Sequence, residues 1–163
     1  MVLLPVKESL VPWKNLTVKG SSVYLEDDSK WGPQLATDGK LSTSSTGYFH
    51  TFEERNPWLD VNFGGCKAVT LVRIKHRIDC CVERFKNAQL SLYIENDSER
   101  TTTGKFKLDG PTQANQPSDF DFPTPVISNG LVLQLEGIAV LQVLKNTTLY
   151  LCFVGICHLN LGK

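Results

Sequence analysis

Apolar and polar residues alternate along several short stretches of this chain. Period-two alternation is typical of β-strands that bury one face. It occurs in four stretches, whose inward positions are Leu59-Val61-Phe63, Val72-Ile74-His76, Ala88-Leu90-Leu92-Ile94 and Leu131-Leu133-Leu135. The stretch from Leu149 to Ile156 is almost wholly apolar, which indicates a strand covered on both faces.

Segments rich in turn-forming residues separate these strands. They are Asp27-Asp28-Ser29, Gly64-Gly65, Asn96-Asp97-Ser98, Asp109-Gly110-Pro111 and Ser128-Asn129-Gly130. Residues 112–124 predict a polar loop, and no stretch predicts a helix of three turns. The apolar segment from Gly137 to Leu144 is either an extra strand or a hydrophobic contact surface. Short strands with such loops predict an all-β sandwich.

The length and charge of the chain narrow its class. Its 163 residues fit one domain over residues 15–163, preceded by an N-terminal arm over residues 1–14. Lys plus Arg equals Asp plus Glu, at 17 each, so there is no electrostatic reason to expect nucleic acid as a partner. No apolar run approaches the roughly 18 residues of a membrane span, and we expect no membrane insertion.

The densest group of chemically active residues runs from His76 to Arg84 and holds two arginines, two acids and two adjacent cysteines. In extended backbone Arg77 and Asp79 share a face, so the carboxylate can brace one edge of the guanidinium. Arg84 could bring a second forked donor to the same place. Two such donors suit vicinal sugar hydroxyls, a carboxylate or a phosphate.

The adjacent cysteines, Cys80 and Cys81, allow two interpretations. Neighbouring Cα atoms lie about 3.8 Å apart, below the range of roughly 4.4–6.8 Å usual for disulfides. They could form a strained ring, or lie on opposite faces of a strand, free or bonded elsewhere. The chain has five cysteines, and Cys66 could pair with either Cys152 or Cys157. Zinc is disfavoured, because there is no C-x-x-C pair and the histidines lack ligand spacing.

A longer pattern surrounds this group of residues. It reads His50-x26-Arg77-x-Asp79-x4-Arg84, with Asn56-Pro57-Trp58 after the histidine and the order Cys-Cys-x-Glu-Arg inside it. The pattern resembles that of the F-type lectins (fucolectins), over about Asn15 to Cys157. The resemblance implies a discoidin-like jelly-roll β-sandwich, the fold of the coagulation factor 5/8 type C domain, with the ligand site on loops at one end.

The resemblance also implies a function, a non-catalytic lectin that recognises terminal α-L-fucose on glycans or glycoproteins. The implied sugar contacts are His50, Arg77 and Arg84, with Asp79 orienting the cations and a Cys80–Cys81 vicinal disulfide packing on the sugar. The loop between residues 15 and 38 is shorter than in the family, where it helps to wall the pocket, and Tyr24, Leu25 or Trp31 could replace that wall. His76 is predicted to be a structural histidine.

Structural calcium is a further feature of the family. Asp38 matches a ligand position, but Gly47 and Phe153 stand where side-chain oxygens are expected. Because calcium takes six to eight oxygen ligands, we expect weak or no calcium binding and no required cofactor.

The cysteines and three N-glycosylation sequons favour an extracellular location, although residues 1–8 are not typical of a signal peptide. A homo-oligomer would raise a weak single-site affinity through avidity.

Two other functions are open at this point. A discoidin-type module could bind lipid headgroups or a protein partner through exposed Phe49, Leu41 and Trp31. A glycan-cleaving enzyme would need a pair of carboxylates, for which Glu53, Glu54 and Asp60 are the candidates. The lectin pattern favours sugar binding over both.

Overall fold

A computed structural model of the chain describes residues 15–38, 46–74, 76, 81–96, 99–108, 110, 116–143 and 152–156. The predicted arm over residues 1–14 lies outside the described residues. The strands are β1 (Thr17–Gly20), β2 (Phe49–His50), β3 (Glu54–Arg55), β4 (Trp58–Ile74), β5 (Ala88–Asn96), β6 (Glu99–Leu108), β7 (Ser118–Leu135), β8 (Ile138–Ala139), β9 (Gln142–Val143) and β10 (Cys152–Ile156). One short helix, α1 (Asp28–Trp31), and 3₁₀ turns at Tyr24–Glu26, Pro33–Ala36 and Val82–Arg84 complete the described elements.

One antiparallel sheet organises the molecule, in the order β1-β4-β7-β5-β6, with β10 also paired to β4. The long pair β4 and β7 shifts register between Asn62 and Lys67, and again between Val69 and Leu71. Irregularities of this kind bend a strand and increase its twist. One half of β4 therefore pairs with β1 and the other half with β10, and the sheet curls around the core. The predicted all-β, discoidin-like sandwich is confirmed.

The inward residues of the predicted alternating series form this core. Buried members are Leu59, Val61, Phe63, Val72, Ile74, Ala88, Leu90, Leu92, Leu131, Leu133 and Leu135. Each large aliphatic or aromatic side chain in such a core contributes about 1.5–3 kcal/mol through burial. Ile94, the last member of its series, is only half-buried near the hairpin end of β5.

Several predicted turns differ in the structure. Two of the predicted turns lie inside strands, Gly64-Gly65 in β4 and Ser128-Asn129-Gly130 in β7. The glycine pair in β4 is part of a register shift with β7 and does not reverse the chain. Gly64 has a φ of 68°, which glycine adopts without a steric cost. The segment at Asp27 starts α1, since the Asp27 carboxylate accepts a hydrogen bond from the Ser29 amide.

One further turn prediction is confirmed, and one predicted loop ends earlier than expected. The turn after Asn96 is confirmed, because Asn96 pairs with Glu99 across the β5–β6 hairpin. The loop predicted for residues 112–124 is wrong from Ser118 onward, where β7 begins and pairs with β4.

The apolar segment after Gly137 is resolved as added strands. Ile138–Ala139 pairs with Glu54–Arg55, and Gln142–Val143 pairs with Phe49–His50. The segment therefore runs antiparallel to the chain that carries His50.

Within the residues that the structure describes, no helix has the length and apolar character needed to cross a membrane.

Candidate functional site

His50 lies on the two-residue strand β2 and is 9% exposed. Its ring centroid is 4.5 Å from that of Tyr24, 5.5 Å from that of Trp31 and 6.0 Å from that of Tyr48. Its Nδ1 is 2.6 Å from the carbonyl oxygen of Thr51. Because a carbonyl oxygen can only accept, Nδ1 carries a proton and donates in this hydrogen bond.

The chain between β1 and α1 brings the other two predicted aromatic residues to this histidine. Tyr24 begins a 3₁₀ turn, and Trp31 ends α1; their rings meet edge to face with centroids 5.7 Å apart. Leu25 and Glu26, which follow Tyr24, have φ values of 54° and 55°. Non-glycine residues in this region carry strain of order 1–3 kcal/mol each, and such strain often occurs at functional sites. Tyr24, Trp31 and His50 are therefore held together, while their contact with a sugar stays a prediction.

Arg84 is exposed at the end of the 3₁₀ turn Val82–Arg84. It lines a depression of about 320 Å³ together with Glu53, Lys86 and the apolar residues Ile138 to Val140. Glu53 follows His50 by three residues, so this depression lies beside the β2–β3 connection. The depression offers charged donors, acceptors and a short apolar wall, but its lining is mostly polar and includes no aromatic residue.

His76 and Phe85 flank the segment in which the remaining predicted site residues lie. His76 is 5% exposed, its Nε2 is 2.6 Å from the Ser118 hydroxyl, and its ring centroid is 4.3 Å from that of Phe85. Burial lowers the pKa of His76 to about 4. The prediction that His76 is structural is confirmed, and it holds together the two ends of this segment.

Three of the predicted site residues, Arg77, Asp79 and Cys80, lie outside the described residues. Cys81 is described, is disulfide-bonded and has a φ of 69°. Its disulfide removes the alternative that Cys81 is a free thiol, whereas its pairing with Cys80 stays a prediction. Cys66 is also disulfide-bonded, and its pairing with Cys152 or Cys157 likewise stays open.

The residues predicted for calcium fit such a site poorly. Among the described residues, no three His, Cys, Asp or Glu side chains come together as a metal-binding group. Asp38 is half-buried, and Gly47, with a φ of 89°, has no side-chain oxygen to offer. Weak or absent calcium binding therefore stays a prediction.

One prediction made for the lipid- or protein-binding alternative is wrong. Phe49 is not exposed but fully buried, because its ring packs in the core against Gly20. Trp31 is half-buried in the aromatic group around His50, and Leu41 lies outside the described residues.

Two of the three carboxylates suggested for an enzyme have partners in the fold, whereas the third, Glu53, is exposed and lines the depression that holds Arg84. Glu54 Oε1 accepts hydrogen bonds from the hydroxyls of Ser21 and Ser22, at 2.6 and 2.7 Å. Asp60 accepts from the Tyr93 hydroxyl and from Arg100 Nη1, both at 2.7 Å. These bonds fix the chain around the site and across the sheet, and give both carboxylates a structural role.

Sequence reasoning missed the group of residues around Asp60. The Arg100 guanidinium lies 3.9 Å from the centre of the Tyr93 ring and also pairs with Glu95. Burial and the nearby Asp60 carboxylate raise the pKa of Tyr93 well above its ordinary value. Glu95 and Asp60 raise the pKa of Arg100 against the opposing effect of burial. The group buries a tyrosine on the outer face of the sheet, and it could not be read as a motif because Asp60 precedes Tyr93 by 33 residues.

Gln142 is the other residue that the sequence reasoning missed. It pairs directly with His50 across the two short strands β9 and β2. The only available signal was its position as a polar residue inside the apolar run from Ile138 to Leu144.

The chain is similar to known sugar-binding proteins. A family model described as NedA-like, galactose-binding domain matches residues 35–128. Fucolectin-1 of the eel Anguilla japonica is 26% identical over 136 residues, which cover 79% of this chain and 76% of the eel protein. The likeness to fucolectins expected from the motif is thereby confirmed.

Solved structures share the fold. A fucolectin from the serum of striped bass, Morone saxatilis, matches with a TM-score of 0.70 and 21% identity over 84% of this chain. The match covers 47% of the bass protein, so this chain spans about half its length. The lectin domain of lectinolysin, solved in complex with Lewis B antigen, matches with a TM-score of 0.68 and 18% identity, over 85% of this chain and 92% of that domain.

Proposed function

Because this chain belongs to the family of NedA-like, galactose-binding domains, we propose that it is a non-catalytic lectin that binds terminal α-L-fucose on glycans or glycoproteins. The observation that carries this proposal is the fucolectin-like pattern His50-x26-Arg77-x-Asp79-x4-Arg84, together with similarity to a fucolectin over most of the chain. We also propose that the protein acts outside the cell, in keeping with its disulfides at Cys66 and Cys81.

A sugar presents hydroxyl edges, which need donors and acceptors, and C–H faces, which need apolar contact. The His50 imidazole would hydrogen-bond to one hydroxyl, and the Arg84 guanidinium would donate to others. Tyr24 and Trp31 would contact the apolar side of the sugar.

The residues of the 77–81 segment would complete the site. Arg77 would supply a second forked donor, and Asp79 would orient it. The Cys80–Cys81 ring would pack against the carbon face of the sugar. We propose no catalytic step, because Glu54 and Asp60 are held by hydrogen bonds within the fold, which leaves Glu53 without a second free carboxylate among the three candidates.

Titration calorimetry with L-fucose, D-galactose and D-mannose tests the proposal, using wild type and Arg84→Ala. Removing a charged donor from a bound ligand costs about 1.5–3 kcal/mol, which corresponds to a loss of roughly tenfold to a hundredfold in fucose affinity. The melting temperature should stay the same, because Arg84 is exposed. Arg55→Ala is the matched control, since Arg55 is exposed on the nearby strand β3.

Two results would contradict the proposal. One is unchanged fucose affinity in Arg84→Ala, and the other is tighter binding of galactose or mannose than of fucose by the wild type. Liposome flotation tests the lipid-binding alternative, which has lost Phe49 as an exposed contact.

A further inference from the structure

Two serine hydroxyls converge on one carboxylate beside the proposed sugar site. Ser21 and Ser22 both donate to Oε1 of Glu54, at 2.6 and 2.7 Å. Each serine oxygen also accepts a backbone hydrogen bond at 3.0 Å, Ser21 from Trp58 N and Ser22 from Phe52 N. Both hydroxyls therefore act as donor and acceptor at once, and hydrogen bonds to a carboxylate are among the stronger ones in proteins. We call Ser21, Ser22 and Glu54 the serine–carboxylate clamp.

The clamp joins the two chain segments that meet at the histidine. Ser22 precedes Tyr24 by two residues, and Phe52, to which Ser22 is bonded, follows His50 by two. The ring centroid of Tyr24 lies 4.5 Å from that of His50 and 5.9 Å from that of Phe52. Hydrogen bonds therefore connect the two segments on one side of Tyr24, and its ring contacts connect them on the other.

The turn that follows the clamp is strained and needs anchors on both sides. Leu25 and Glu26 have φ values of 54° and 55°, and Leu25 is 65% exposed, so its side chain does little to hold the backbone in this conformation. Strained backbone persists only where the surrounding structure over-determines it. On the far side the Asp27 carboxylate accepts from the Ser29 amide and starts α1, and on the near side the clamp fixes the chain. Without the clamp the turn can relax, and the tyrosine ring before it can leave the histidine.

We propose that Glu54 is a positioning residue of the sugar site, which acts through Ser21 and Ser22 to hold Tyr24 against His50. Glu54 itself makes no contact with the sugar. A wall that is already in place before binding raises affinity, because less conformational freedom is lost when the ligand arrives. This inference rests on the proposed function, since it assigns to Glu54 a role in binding the same sugar.

Titration calorimetry with L-fucose on Glu54→Ala and Glu54→Gln tests this role. Alanine removes the acceptor, so the binding-competent arrangement is populated only part of the time, and fucose affinity should fall by about fivefold to tenfold. Glutamine keeps a side-chain oxygen that can accept from both serines, so its affinity should return to within about twofold of wild type.

NMR of the sugar-free proteins supplies a readout that general destabilisation would not change. Nuclear Overhauser contacts between the ring protons of Tyr24 and His50 should be present in wild type and Glu54→Gln and lost in Glu54→Ala. Glu95→Ala is the matched control, because the Glu95 carboxylate also accepts two side-chain hydrogen bonds, from Arg100 at 3.1 and 3.3 Å, but on the β5–β6 hairpin. It should keep both these ring contacts and wild-type affinity for fucose.

The outcomes distinguish the inference from the function on which it rests. Equal fucose affinity in Glu54→Ala and wild type, an equal loss in Glu54→Gln and Glu54→Ala, or a loss with the ring contacts intact overturns the inference and leaves the lectin proposal standing. Should Glu54→Ala fail to fold, Ser22→Ala decides the question, since it removes one clamp hydroxyl and leaves the bonds of Ser21. Unchanged affinity in that variant overturns the inference, and reduced affinity with weakened ring contacts supports it. A wild type that does not bind fucose overturns the proposed function, and the inference with it.

Discussion

The buried histidine next to the site, His76, makes the stability of this protein sensitive to mild acid. Burial lowers its pKa from the ordinary 6.5 to about 4, so the folded protein resists protonation there more than the unfolded chain does. The contribution of neutral His76 to the free energy of unfolding is complete above pH 6.5. It is lost as the pH falls from about 6.5 towards 4, because the unfolded state takes up the proton first.

The size of the effect follows from the shift in pKa. One pKa unit corresponds to about 1.36 kcal/mol, so the full shift is worth about 3.4 kcal/mol below pH 4. At pH 5, linkage gives a loss of about 2 kcal/mol from this one group. That is a large part of the roughly 5–15 kcal/mol by which a typical domain is stable.

Urea unfolding at pH 8 and pH 5, on wild type and His76→Gln, measures this contribution. Carboxylates that titrate in the same range affect both proteins, so the variant serves as their control. We expect the wild type to lose about 2 kcal/mol more stability than His76→Gln between the two pH values. A difference below about 0.5 kcal/mol would show that burial of His76 does not depress its pKa as reasoned here.

Three more predictions concern packing, disulfides and metal. Gly130→Ala should lower the free energy of unfolding by about 1–3 kcal/mol in urea titrations, because the added Cβ would overlap the buried Tyr93 ring; an unchanged midpoint would contradict this. Peptide mapping by mass spectrometry of the non-reduced protein should find Cys80 bonded to Cys81, and a Cys81 linkage to any other cysteine would refute the vicinal ring. The melting temperature should be the same in calcium chloride and in EDTA, and a clear rise with calcium would restore the metal site predicted at Asp38.

The fold was largely predictable, because strand alternation is a local property. The two alternating series that include Leu59 and Leu131 were correctly predicted to face the core. Glycine pairs were misread, because Gly64-Gly65 can serve either a chain reversal or a bulge inside a long strand. Which of the two occurs depends on whether a partner strand continues past the glycines, and that information lies elsewhere in the chain.

The site was predictable in part. The motif predicted His50 and Arg84 as sugar contacts, which stays a prediction, and it could not tell that Phe49, the neighbour of His50, is fully buried. Alternation predicts that neighbours on a strand face opposite sides, and here both sides of β2 are covered. The contact of Tyr24 with His50 depends on two residues with left-handed backbone, a conformation that no propensity favours for leucine or glutamate.

The sequence by itself determined the strand periodicity, the neutral charge and the spacing of the candidate sugar contacts, since each depends on residues close together in the chain or on simple counting. Only the tertiary structure decided that Leu141 would bond to Thr51, 90 positions away, and so set Gln142 opposite His50. The register of strands so distant in sequence depends on how the whole core packs. For that reason the position of Gln142 opposite His50 could be found only in the folded chain.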